Sequence, residues 1–114
     1  MHDDELAERM IVALALVTGL LHGVVMRGPT QPVCMVGKPC SAPAVGVTLV
    51  FSRAGHTAVR VKTVQGGRYS VRLAPGTYTV TTAPRMTIGS GIRPSTVRVR
   101  TAAIVNFYID TGIR

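Results

Sequence analysis

The chain has 114 residues, thirteen Lys and Arg against five Asp and Glu for a formal net charge of +8, few aromatics and no Trp. That length has room for one domain with an adequate core, and the frequency of Val, Thr and Ile favours strands over helices. Asp3, Asp4, Glu5 and Glu8 sit together at the head, so beyond residue 21 only Asp110 faces twelve Lys and Arg, a net of +11, and the domain lacks the two neighbouring carboxylates that acid–base hydrolysis of that type needs.

Residues 1 to 21 differ in kind from the rest. An acidic head ending at Arg9 precedes a twelve-residue run from Met10 to Leu21 that is apolar apart from Thr18 and Gly19. The run is short for a membrane span. Its length suits the hydrophobic region of an export signal, although the head is acidic and no small-x-small cleavage site follows. The other reading is a short helix capped by Asp3 or Asp4, with Leu6, Met10, Ala13 and Val17 down one side. At this level both stay open.

From residue 22 to residue 114 a single domain is expected. Its first strand runs from His22 to Gly28 and ends at Gly28-Pro29. Pro29, Pro32, Pro39 and Pro43 then interrupt regular structure, so residues 29 to 43 read as a loop. Within it Cys34 and Cys40 are close enough in sequence to close a local ring, and His2, His22 and His56 fall at no metal-ligand spacing near them. A disulfide, and with it an oxidising compartment, is the reading for that pair.

Val45 to Ser52 is the next strand, with Val45, Val47, Leu49 and Phe51 on one face, and Arg53-Ala54-Gly55-His56 turns it back. The stretch from Thr57 to Val80 then reads as a meander of three strands. Gln65-Gly66-Gly67 and Pro75-Gly76 supply its turns, and Tyr69, Val71, Leu73, Tyr78 and Val80 alternate with Arg68, Ser70, Arg72, Thr77 and Thr79. Pro84 to Pro94, with Gly89-Ser90-Gly91, reads as a flexible loop. Thr96 to Thr101 and Ile104 to Asp110 close the domain, Val97, Val99, Phe107 and Ile109 facing opposite to Arg98, Arg100 and Tyr108. Seven short strands with turn signals between them predict an all-β fold, a seven-stranded Greek-key β-sandwich.

Three segments carry a family pattern: Gly46-Val47-Thr48-Leu49 after a proline-rich approach, Lys62-Thr63-Val64-Gln65-Gly66-Gly67-Arg68-Tyr69, and Leu73-Ala74-Pro75-Gly76-Thr77-Tyr78-Thr79-Val80. Together they resemble carboxypeptidase regulatory-like domains, which belong with the transthyretin-like and Cna-B-like sandwiches. The resemblance covers roughly residues 22 to 110 and implies a transthyretin-like (prealbumin-like) sandwich, in most cases a non-catalytic accessory or cell-surface module. Some relatives in the wider starch-binding-like group bind carbohydrate. Cna-B-like relatives can hold a Lys-Asn isopeptide bond, but no lysine lies on the first strand and no Glu in the domain, so Asn106 is expected to be uncrosslinked.

No catalytic residue, metal ligand or cofactor site is assigned. His56 sits in a turn without an acid to orient it, and the glycine pairs lie between strands rather than opening a phosphate-binding helix. Tyr69, Tyr78 and Phe107 share faces with Val and Leu, leaving Tyr108 as the outward aromatic. Arg60, Lys62, Arg68, Arg72, Arg98 and Arg100 take outward strand positions, and Arg53, Arg85 and Arg93 lie in loops. The expected function is a non-enzymatic module, exported and surface-associated, whose basic face meets anionic polymers. Its alternatives are a carbohydrate-binding module and a folding or anchoring module with no ligand of its own. Nucleic acid is the weakest partner, since no base-reading motif and no interleaved exposed aromatics accompany the charge.

Overall fold

In the computed structural model, which describes residues 19 to 84 and 91 to 112, the first strand starts earlier than its sequence pattern indicates. β1 (Gly19–Gly28) takes in Gly19, Leu20 and Leu21 from the end of the apolar run, because Leu21 and Val25 both reach the core and are fully buried. The apolar helix or export signal expected before it lies outside the described residues, as does Arg85. Nine further strands follow among the described residues: β2 (Ala42–Pro43), β3 (Thr48–Ser52), β4 (Val59–Lys62), β5 (Arg68–Leu73), β6 (Gly76–Ala83), β7 (Gly91–Arg93), β8 (Thr96–Val99), β9 (Ala103–Ile104) and β10 (Phe107–Asp110).

The three strands beyond the expected seven are short pieces. β2 and β7 fall in segments read as loops, and the expected last strand divides into β9 and β10. The division occurs where Asn106 Oδ1 accepts the Val24 N–H at 2.9 Å, a side-chain bond taking the place of a ladder bond. The strand from Val45 also shortens. Val45 and Gly46 form a turn, Val45 is 56% exposed rather than inward, and pairing begins at Thr48.

The strands form two sheets. In the first, β1 is paired along both edges, antiparallel to β5 and then β2 on one side and parallel to β9 and then β10 on the other, with β7 antiparallel to β10 beyond. The second runs in the order β4-β3-β6-β8, antiparallel throughout. Their inner faces meet in one apolar cluster that includes Leu21, Val25, Tyr69 and Leu73 from the first sheet and Leu49, Phe51, Val80 and Val99 from the second. Phe51 joins the sheets, its ring centroid 6.4 Å from Tyr69 and 6.2 Å from Phe107, distances at which tilted and edge-on aromatic pairs attract. This is an all-β sandwich of two packed sheets.

The three-stranded meander does not form. β5 pairs with β1, while β4 and β6 belong to the other sheet, so both tight turns carry the chain from sheet to sheet. Their chemistry is as read: Gly66 and Gly67 have φ of 80° and 75° in a 3-10 turn closed by Gly67 N–H to Val64 O at 2.9 Å. What alternation left open is the partner. In this arrangement the inward Tyr69, Val71 and Leu73 of β5 join the same apolar cluster as Leu49, Phe51 and Val80 of the other sheet.

Thr63 ties the corner after β4. Its buried hydroxyl donates to Ala44 O at 2.5 Å and accepts from Val47 N–H at 2.9 Å, and its backbone exchanges bonds with Gly46 and Val47. Cys34 and Cys40 are joined as a disulfide with a Cα separation of 5.5 Å, in a loop whose residues 32 to 39 are all exposed. The loop is anchored at its base by Thr30 N–H to Cys40 O at 2.9 Å.

Candidate functional site

Because the inner faces of the two sheets are packed together, their outer faces look in opposite directions. The six cations singled out from the sequence are all exposed, but they divide between those faces. Arg60 and Lys62 on β4, Arg98 on β8 and Arg100 just after it lie on the second sheet. Arg68 and Arg72 lie on β5, in the first. The pairing of β5 with β1 thus puts Arg68 and Arg72 on a different sheet from the other four, and of those four Lys62 alone reaches the same depression as Arg68.

The outer face of the second sheet is rich in hydroxyls. Register aligns Lys62 with Thr48, Arg60 with Val50 and Thr81, Ser52 with Thr79 and Thr96, and Thr77 with Arg98. Its outward apolar residue, Val50, is only 8% exposed between its neighbours on β4 and β6. Cations thus stand on the two edge strands with Thr and Ser between them.

The outer face of the first sheet is different. A depression of about 830 Å³ runs from Leu20, His22 and Val24 on β1 across Ser70 and Arg68 on the edge strand β5, reaching Ile104 and Asn106 on one side and Lys62 and Val64 on the other. Its floor is apolar, and Ile104 is 70% exposed. Arg68 is partly occupied, its Nε donating to Gln65 O at 3.2 Å. Sequence reasoning missed this depression, because Leu20 falls in the segment assigned to the N-terminal run and no cation pattern marks Ile104 or His22. The available signal was Leu20, His22 and Val24 at period two, opposite in face to Leu21 and Val25.

Arg53 does not belong to the basic surface either. Its Nη1 donates to Pro75 O at 2.9 Å and its guanidinium stands 5.2 Å from the centroid of the Tyr78 ring, so it clamps the β5–β6 corner. Tyr78 and Tyr69 are buried, their hydroxyls donating to Ala74 O at 2.6 Å and Val105 O at 2.5 Å, and Phe107 is buried beside them. Tyr108 remains, 36% exposed. Burial pushes the Tyr69 phenol above its ordinary range, so it stays protonated.

Asp110 is the one acid among the described residues. It is 6% exposed, and its Oδ1 accepts Gly112 N–H at 2.9 Å. Nine exposed cations, the six above with Arg27, Lys38 and Arg93, are therefore met by no exposed carboxylate among the described residues.

No family model matches the sequence, and no curated protein matches it. Two solved structures share the fold. A DUF3823 family protein from Parabacteroides merdae is 23% identical with a TM-score of 0.52, the match covering 82% of this chain and 46% of that one. A DUF3823 family protein from Bacteroides ovatus is 20% identical with a TM-score of 0.50, covering 81% and 44%. The chain thus spans less than half the length of either.

Proposed function

We propose that this chain is a non-enzymatic sandwich module of the carboxypeptidase regulatory-like, transthyretin-like type, exported and attached to anionic polymers through its basic surface. The observation that carries the reading is the set of nine exposed cations without an exposed carboxylate among the described residues. Ion pairing within the domain would have used those charges for stability, where an exposed pair contributes little. With no exposed carboxylate beside them among the described residues, they repel one another and sum to a field that attracts polyanions. The disulfide between Cys34 and Cys40 supports an oxidising, extracytoplasmic setting. The Greek-key description and the family assignment rest on the turn and alternation motifs at Gly66-Gly67, Pro75-Gly76 and Tyr78, and the two-sheet fold is compatible with them. A neutral carbohydrate module is the weaker reading because Tyr69, Tyr78 and Phe107 are buried and offer sugars no stacking face.

The test is a titration of the protein with heparin and with a neutral glucan, at low and at physiological salt. Heparin binding should weaken steeply with salt. Changing Arg60, Arg68, Arg72 and Arg98 together to Gln should flatten the log–log salt slope by roughly 3, at about 0.7 per lost contact to a flexible polyanion. Salt-insensitive, saturable glucan binding would overturn the proposal in favour of a carbohydrate module. Binding to neither would overturn it in favour of an anchoring role.

A further inference from the structure

The outer face of the second sheet holds a feature that charge alone does not explain. Arg60 and Lys62 occupy β4, one edge of the sheet; Arg98 occupies β8, the other edge, displaced toward the opposite end of the strands, and Arg100 follows the end of β8. Crossing three strand spacings takes ~14 Å, and the offset of four residues between the rows of Arg60 and Arg98 adds ~13 Å along the strands, a diagonal of ~20 Å. Lys62 lies two positions further along β4, and Arg100 lies just past the end of β8. Between the cation pairs the surface is made of Ser52, Thr77, Thr79 and Thr96, hydroxyl side chains exposed or half-buried.

We propose that this face binds a linear acidic polysaccharide, a chain of sugars bearing carboxylates, laid along that diagonal; the assignment rests on the polyanion reading above. Guanidinium groups at each end meet carboxylates with paired, charge-assisted bonds. Hydroxyls in the middle both donate and accept, which suits the hydroxyls of the sugars between carboxylates. Thr is short and stiff at χ1, so ordering these side chains costs little on binding. A single-stranded nucleic acid would need aromatic platforms, and Tyr78 on β6 points into the core, 4% exposed. A membrane would need apolar side chains to insert, and Val50 is almost covered. The depression on the first sheet, with its apolar floor, suits a uniformly hydroxylated and charged chain less well.

The experiment measures binding of the full chain to polygalacturonate, polyglutamate and oligo-dT at low salt, with urea midpoints confirming that each variant folds. Two charge-matched variants are compared: Arg60→Gln with Arg98→Gln on the proposed face, and Arg68→Gln with Arg72→Gln on the other sheet. A third, Thr79→Val with Thr96→Val, removes hydroxyls while keeping shape and charge. The first variant should weaken polygalacturonate binding at least tenfold more than the second. The Thr variant should weaken it about tenfold, at the usual contribution of two neutral hydrogen bonds, and leave polyglutamate unchanged. If the Gln pair does not fold, Arg60→Lys with Arg98→Lys keeps the charge and should still lose several-fold by removing the paired geometry.

Equal losses for the two charge-matched variants would overturn the choice of face while leaving polyanion binding intact. A Thr variant that binds polygalacturonate normally, or loses polyglutamate equally, would overturn the sugar assignment. Preference for oligo-dT or polyglutamate would move the occupant to nucleic acid or an acidic protein. Failure of the unaltered chain to bind any polyanion would refute the functional reading itself.

Discussion

Gly66 and Gly67 are adjacent, both have positive φ, and no feature of the sequence separates them, yet replacing each with Ala should have very different effects. Both substitutions force an L side chain into the left-handed region, which costs about 1–2 kcal/mol. At Gly66 that is the whole cost, since the nearest atom to an added Cβ is Arg68 Nε at 3.8 Å. At Gly67 the added carbon would meet the backbone oxygen of Val25, which also accepts Ala44 N–H at 2.8 Å and belongs to the central strand β1. Either β1 shifts or that bond opens, adding about 1–3 kcal/mol for a buried group left unpaired. Gly67→Ala should therefore destabilise the domain by about 2–5 kcal/mol in total, a large share of the roughly 5–15 kcal/mol typical of a folded domain. Gly66→Ala should cost about 1–2 kcal/mol. Equilibrium urea unfolding followed by far-UV circular dichroism measures both, with the slope checked for constancy between variants. Equal midpoints for the two variants, or a larger shift for Gly66→Ala, would refute the claim that this corner is held against β1.

Tyr69 gives a pH-dependent test. Burial raises its phenol above the ordinary value near 10, so its stabilising contribution is fully present below pH ~10 and is lost as pH rises above that value. Tyr69→Phe should cost about 1 kcal/mol at neutral pH, through loss of the bond to Val105 O, and should flatten the alkaline limb of stability against pH. An alkaline limb as steep in the variant as in the parent would contradict this. Cys34→Ser should lower stability by roughly 2 kcal/mol, the chain-entropy value for so small a ring, with an unchanged far-UV spectrum because the loop lies outside the core. A reducing agent should reproduce that shift in the parent. Loss of cooperative unfolding, or no response to reduction, would show that the bridge does something else.

The side that each strand turns to the core was legible in the sequence, because side chains alternate with period two and that rule is local. Tyr69, Val71, Leu73, Tyr78, Val80, Val97, Val99, Phe107 and Ile109 are all buried, as their alternation with Arg, Ser and Thr requires. The positive φ at Gly66 and Gly67 was legible for the same reason, since a turn's backbone demands are written in its own few residues. Strand partners were not. A hydrogen-bonded ladder joins residues far apart in the chain, and β5 has the same inward and outward sets whether it lies beside β4 or crosses to β1. That non-local choice also decided the candidate sites. Alternation placed Arg60, Arg68 and Arg98 outward, but only the assignment of β5 to the first sheet put Arg68 beside the apolar depression and left Arg60 and Arg98 at opposite edges of a hydroxyl face. Leu20 shows the converse limit: its hydrophobicity suits a terminal apolar run and an exposed strand face equally well, and the burial of its neighbour Leu21 in the core settled which of the two it joined.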